Sequence, residues 1–275
     1  MSERATRPIG IFDSGLGGLT VLREIVDRLP DEHLIYFGDT ARVPYGPKSP
    51  ETVLRYSREA TAFLLSRDVK FIVVACNTAT AHAVETLRKE LPVPVIGVID
   101  AGARAAIAST RSRRIGVIGT AGTIASGAYD RAVREMLPDV EVYAQPCPLF
   151  VPLVEEGLAE HAAAGMIARD YLRPLIDVHV DVLVLGCTHY PLLRPLLEEI
   201  MGPHVRLVDS AEETAKEVAH RLRELGLCHP GGVPAERHFM VSDLPLRFRE
   251  VGRQFVGDLI GAVERVEVEG YGVAA

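Results

Sequence analysis

Phe71-Ile72-Val73-Val74-Ala75-Cys76-Asn77-Thr78-Ala79 passes from an unbroken apolar run straight into small polar residues, and Val182-Leu183-Val184-Leu185-Gly186-Cys187-Thr188-His189-Tyr190 does the same later in the chain. A short continuous run rich in β-branched residues, bounded by small ones, reads as a strand buried on both faces. Outward from the first run, Ile9–Phe12 predicts a strand, then a Gly-rich turn and a helix from about Leu19 to Leu29. Leu34–Phe37 predicts a second strand, followed by a loop and a long helix from about Glu51 to Ser66. Phe71–Ala75 is the third strand, Ala79–Glu90 a helix and Val95–Val98 the fourth strand. Outward from the second run, strands are expected at Ile115–Ile118, Val140–Ala144 and Val182–Leu185, with helical stretches between them. After about Asp209 the tail predicts a helix to Leu225, a Pro/Gly-rich break at His229–Pro234, then strand, helix and strand. Apolar strands alternating with helices point to parallel sheets covered on both faces.

The scheme repeats. Ile9-Gly10-Ile11-Phe12 with Ser14 parallels Ile115-Gly116-Val117-Ile118 with Thr120. Val43-Pro44 parallels Val151-Pro152, and Val73-Val74-Ala75-Cys76 parallels Val184-Leu185-Gly186-Cys187. Three pairs in one order imply two similar α/β halves. Each repeated element lies past the C-terminal end of a strand, where open parallel sheets bind ligands. Two such sheets facing each other place Cys76 and Cys187 on opposite walls of one cleft.

Composition excludes several classes. The chain has 275 residues, 48% hydrophobic and 24% charged, which is ordinary for a globular protein and long enough for one large or two modest domains. A net charge of −7 argues against nucleic acid and membrane surfaces as partners. Met1–Gly10 carries charge with no apolar segment behind it, and no run approaches the ~20 residues of a membrane span. Four widely spaced cysteines, Cys76, Cys147, Cys187 and Cys228, form no CxxC pair, so reduced thiols and a cytoplasmic location are expected. Neither His nor Cys spacing suggests a metal site. The four lysines, Lys48, Lys70, Lys89 and Lys216, offer none at a strand end suited to a pyridoxal phosphate Schiff base. Amino-acid chemistry here would be cofactor-free.

Cys76 and Cys187 each end a strand and precede an expected helix, whose N-terminus favours a thiolate. Two facing thiols suit a reaction symmetric about one atom, such as inversion by removing a proton from one face and returning one to the other. At an unperturbed pKa near ~8.5 a few per cent of a thiol is ionised at neutral pH, and its partner stays protonated. Asp13-Ser14-Gly15-Leu16-Gly17-Gly18 lacks a dinucleotide or Walker spacing. Its turn could hold a small anion, or Asp13 and Ser14 could merely cap a helix. Thr120 and Thr123 occupy the corresponding turn of the second half. Gly38–Gly46 reads as an ordinary connection, Glu155 and Glu156 as solvated helix charges. His189 could exchange protons with Cys187 or serve structure alone. Inversion of a small amino acid, amino-acid binding without turnover, and thiol redox chemistry all remain open at this point.

Asp13-Ser14-Gly15 with Gly17-Gly18, Gly38–Arg42 through Tyr45-Gly46, Ala75–Ala79, Gly119-Thr120 with Thr123, Val151–Glu155 and Gly186–Tyr190 together resemble the glutamate racemases of the aspartate/glutamate racemase family. The likeness runs from about residue 9 to 210, with no departure at any motif position. It implies two α/β domains, 1–98 plus 210–275 and 99–209, with the active site in the cleft between them. It implies Cys76 and Cys187 as the two bases, with Asp13, His189 and Glu155 assisting. Asp13, Ser14, Tyr45, Gly46, Asn77, Thr78, Thr120, Thr123, Thr188 and His189 would contact the substrate. It further implies no cofactor and no metal, glutamate as substrate with aspartate or another small amino acid as the alternative, a homodimer, and D-glutamate made for peptidoglycan.

Overall fold

The computed structural model describes residues 3–268. The outermost ends of the expected first domain, 1–2 and 269–275, lie outside them. The strands are β1 (Ile9–Asp13), β2 (Leu34–Gly38), β3 (Phe71–Val74), β4 (Val95–Gly97), β5 (Arg114–Gly119), β6 (Glu141–Pro146), β7 (Val182–Gly186), β8 (Arg206–Asp209), β9 (Arg237–Val241) and β10 (Val263–Arg265). The α-helices are α1 (Leu19–Arg28), α2 (Pro50–Ser66), α3 (Asn77–Glu90), α4 (Ile99–Ser109), α5 (Ala121–Ala125), α6 (Ala128–Met136), α7 (Phe150–Glu155), α8 (Ala162–Asp177), α9 (Arg194–Met201), α10 (Ser210–Glu224) and α11 (Pro245–Val256).

Two all-parallel sheets result. One has the order β10-β9-β2-β1-β3-β4, the other β6-β5-β7-β8. The run β2-β1-β3-β4 therefore has the same topology as β6-β5-β7-β8, which is the repeat seen in the sequence. The protein is a two-domain α/β fold. Interior strands β1, β3 and β7 are buried at every position because helices cover both faces. Edge strand β6 is largely accessible and ends at Pro146, which needs no ladder donor there. An apolar cluster runs from Ile9, Ile11 and Val73 through Leu22 of α1 and Val218 of α10 to Leu183 and Leu185. The two sheets thus share one continuous core.

Several boundaries move for local reasons. Helix α2 begins at Pro50 because Ser49 caps it, its side chain accepting from Thr52 N. Helix α3 begins two residues before the expected Ala79, since the Cys76 sulfur supplies the cap. Val151-Pro152 lies inside the short helix α7, whereas Val43-Pro44 lies in a loop, so that repeated pair shares a place in the order but not a conformation.

Lys70, at the start of β3 and far from the strand ends that carry the cysteines, is fully buried. Its Nζ pairs with Glu32 Oε2 at 2.5 Å and donates to the Ala5 carbonyl at 2.5 Å. Burial pushes its pKa down, and the Glu32 carboxylate opposes that. Removing one member of a buried pair leaves the other charge uncompensated. Lys70→Met should lower the unfolding free energy in urea by about 3 kcal/mol, with part of it recovered in Lys70→Met/Glu32→Leu. A loss under about 1 kcal/mol would mean that Glu32 finds other compensation.

Candidate active site

Cys76 stands between β3 and α3 as the helix N-cap, with extended backbone. Its sulfur accepts from Ala79 N at 3.5 Å and donates to Ser14 Oγ at 3.5 Å. The helix terminus does not decide its proton affinity. Burial pushes the Cys76 thiol up to about 12, the Asp13 charge adds to that, and the contacts with Ser14 and Ala79 N–H only partly oppose it. The few per cent of thiolate expected at an ordinary pKa is therefore absent here, because desolvation outweighs the dipole.

Asp13 ends β1 and is buried. Its Oδ2 accepts from Gly15 N at 2.8 Å, so it caps the turn and not helix α1, whose own cap is Gly18. Its Oδ1 has no hydrogen-bond partner. Burial raises the Asp13 pKa, opposed by His189 and by the Gly15 and Gly18 N–H groups. Asp13 thus acts on Cys76 through its charge and leaves one carboxylate oxygen without a hydrogen bond.

Cys187 follows β7, but the expected helix does not follow directly. A 3₁₀ turn, Tyr190–Leu193, precedes α9. An α-helix begun at Tyr190 would require Pro195 to donate to Pro191, and proline has no N–H. Cys187 thus lacks the helix cap that Cys76 has, and its support comes from side chains instead. The sulfur lies 3.9 Å from His189 Nδ1, and His189 Nε2 lies 2.9 Å from Glu155 Oε1. Burial lowers the imidazole pKa, but Cys187 and Glu155 together outweigh it and bring His189 up to about 10. The ring of Phe255, from α11 of the first domain, stands edge-on to His189 at 5.5 Å. Each thiol therefore has a titratable neighbour, the Asp13 carboxylate acting on Cys76 through its charge and His189, paired with Glu155, lying beside Cys187.

The two domains meet through small residues. Thr78, Thr120 and Thr123 form a triangle of hydroxyls with sides of 2.9, 3.1 and 3.1 Å. Gly122 N donates to the Gly46 carbonyl at 2.9 Å, and Thr20 Oγ1 donates to the Thr188 carbonyl at 3.1 Å. Gly17 lies so close to Thr188 and His189 that a Cβ there would fall 2.1 Å from Thr188 Oγ1. Tyr45 is buried, and its hydroxyl is committed to Asp39, which also accepts from Arg42 Nε at 2.7 Å and Ser242 Oγ at 2.9 Å. Tyr45 therefore offers a site its ring and backbone more than its hydroxyl. All the residues expected from the sequence gather about these contacts.

Three participants were not anticipated. Asp39 and Arg42 anchor the Gly38–Gly46 loop, and Tyr129 of α6 donates to Asn77 Oδ1 at 2.8 Å. The first two lie in the Gly38–Arg42 motif of the resemblance, which assigned them no role, and no local pattern marks Tyr129. Among the described residues no group of three His, Cys, Asp or Glu could hold a metal ion, and no helix is long and apolar enough to cross a membrane.

Residues 9–218 match the family described as Asp/Glu/Hydantoin racemase, and the chain belongs to that family. Within it, the chain is 56% identical to the glutamate racemase of Geobacter metallireducens, over 96% of this chain and 97% of that one. It is 51% identical to that of Syntrophus aciditrophicus, over 95% and 97%. The structure of a glutamate racemase isoform from Bacillus anthracis superposes with a TM-score of 0.92 at 40% identity, covering 95% of this chain and 98% of that one. The Francisella tularensis enzyme in complex with D-glutamate superposes at 0.91 and 38% identity, covering 97% and 100%.

Proposed function

We propose that this protein interconverts L- and D-glutamate with its own side chains, Cys76 and Cys187 acting as alternating base and acid. In one direction the Cys76 thiolate removes the α-proton and the Cys187 thiol delivers its proton to the opposite face; in the other direction they exchange roles. The C–H bond broken on one face is replaced by one formed on the other, and each turnover leaves the proton on the thiol that began without one. Asp13 takes up the Cys76 proton before abstraction, and His189, held by Glu155, exchanges protons with Cys187. The carbanion-like transition state needs donors aimed at the α-carboxylate in a site closed to water. Ser14, Thr78, Thr120, Thr123 and Thr188 supply hydroxyls for it, Asn77 adds an amide that binds the substrate alike in ground and transition state, and Tyr45 and Gly46 shape the wall.

The single observation that carries this reading is a pair of thiols at equivalent strand ends, each with its own buried titratable neighbour, in a chain about half identical to glutamate racemases. Residues 1–98 with 210–275, and 99–209, act as the two domains in this reading. Assembly as a homodimer, a place in the cytoplasm and provision of D-glutamate for peptidoglycan belong to it through the family resemblance. Purified protein incubated with L-glutamate, without added cofactor, should bring the optical rotation to zero. A rotation that stays constant overturns the reading.

The enantiomers have equal free energy, so kcat/KM must be equal in both directions at every pH. The two productive forms of the free enzyme then differ only in which thiol holds the shared proton. The kcat/KM profiles for L- and D-glutamate should superimpose and fall as pH rises through about 10, where His189 loses its proton. Glu155→Gln removes one of the groups that raise the His189 pKa and should move that alkaline limb down by about one pH unit. An unmoved limb assigns it to another group.

A further inference from the structure

Tyr129 lies deep between the two cysteine motifs and touches both. It is 3% exposed, as is Asn77, the residue after Cys76. Its ring packs against Gly186, the residue before Cys187, where a Cβ would stand 3.1 Å from Cε2. On the other side, a Cβ at Gly102 would stand 3.4 Å from the ring. Its hydroxyl donates to Asn77 Oδ1 at 2.8 Å across the domain boundary, while Asn77 Nδ2 is buried and has no partner. A buried amide donor without an acceptor costs free energy unless a ligand supplies one.

We propose that Tyr129 is a positioning residue that holds the Asn77 side-chain amide in one orientation, so that its NH₂ and not its carbonyl meets a carboxylate of the substrate. This inference deepens the glutamate reading and rests on it. An amide has two faces of opposite hydrogen-bonding character. With its oxygen engaged by a phenol, it can present only donors elsewhere. Rotated by a half-turn, it would set an oxygen against a carboxylate oxygen. Burial raises the Tyr129 pKa above the ordinary tyrosine range, which keeps the phenol a donor. The glycines at 102 and 186 leave the ring the space it fills within its own domain, and the hydroxyl alone reaches across to Asn77.

The Asn77 contact is made equally to ground state and transition state. Its loss should therefore appear in binding and not in turnover. Tyr129→Phe keeps the ring and removes the donor. Titration with racemic glutamate should show Kd raised about tenfold, and KM should rise in step while kcat stays within about threefold. In the Asn77→Ala background, Tyr129→Phe should weaken binding no further. Asn77→Asp, which can still accept from Tyr129 but presents an oxygen to the substrate, should bind glutamate more weakly than Asn77→Ala. That variant tests the inference even if Tyr129→Phe melts. The inference is overturned if Tyr129→Phe leaves Kd unchanged, if kcat falls while KM holds, if the two losses multiply, or if Asn77→Asp binds like the unmodified protein. Unmodified protein that racemises glutamate alongside any of these results keeps the function and loses only the role of Tyr129. Unmodified protein that neither binds nor racemises glutamate loses both.

Discussion

Cys76→Ser and Cys187→Ser should each lower racemisation by about 1,000-fold, while each still exchanges the α-proton of one enantiomer with solvent deuterium. A serine hydroxyl is far too weak an acid to serve as the abstracting base, and it lacks a sulfur's ease of ionisation. The surviving thiol retains its partner, Asp13 for Cys76 or His189 with Glu155 for Cys187. It can remove the proton it faces and put a deuteron back on the same side. The two variants should therefore label opposite enantiomers in D₂O, read by mass spectrometry after chiral separation. Racemisation near the unmodified rate in either variant, or labelling of the same enantiomer by both, rules out the two-base scheme.

Gly17→Ala should reduce kcat/KM by about 100-fold and lower the thermal midpoint. The new methyl carbon would lie 2.1 Å from Thr188 Oγ1 and 2.5 Å from His189 Nδ1, far inside contact distance. Thr188 is also held through its carbonyl by Thr20 Oγ1, and His189 by Glu155 and Phe255. The Thr188 hydroxyl can turn about its own side-chain bond but the imidazole is held, so the accommodation must come from separating the two domains or from displacing the imidazole. Either change spoils the placement of Cys187 against its partner, and a misplacement of about 1 Å suffices for a loss of this size. Gly17 is buried where the two domains meet, so the clash costs stability as well as activity. A kcat/KM within about threefold of the unmodified protein would show that the domains close without this contact.

The features legible in the sequence are those written in neighbouring residues. Continuous apolar runs announced β1, β3 and β7, because strands covered on both faces need no alternation. The parallel endings at Cys76 and Cys187 announced two related strand ends, and the shared order of the two sheets follows. The illegible features join distant parts of the chain. Nothing near Tyr129 marks it as the partner of Asn77, and nothing near Asp39 marks Ser242. Asp39 alone reads as a turn residue and Asn77 as a polar residue at a helix start; only the fold shows what they face. The proton affinity of Cys76 was misjudged for a related reason. The helix start is local and visible, whereas burial of the sulfur and the nearness of Asp13 come from tertiary packing, and they decide the outcome. The helix expected after Cys187 failed on a local fact, the proline at 195, whose missing N–H the apolar pattern does not reveal.

β9 lies between β2 and β10, paired in register from Leu34 to Arg237. A ribosome must therefore translate all of the second sheet before the outer neighbour of β2 exists. Strands β5 to β8 follow one another without interruption and can zip together as they emerge. The nascent first sheet meanwhile carries a bare edge along Leu34–Gly38, the kind of surface that chaperones shield, until the returning tail seals it.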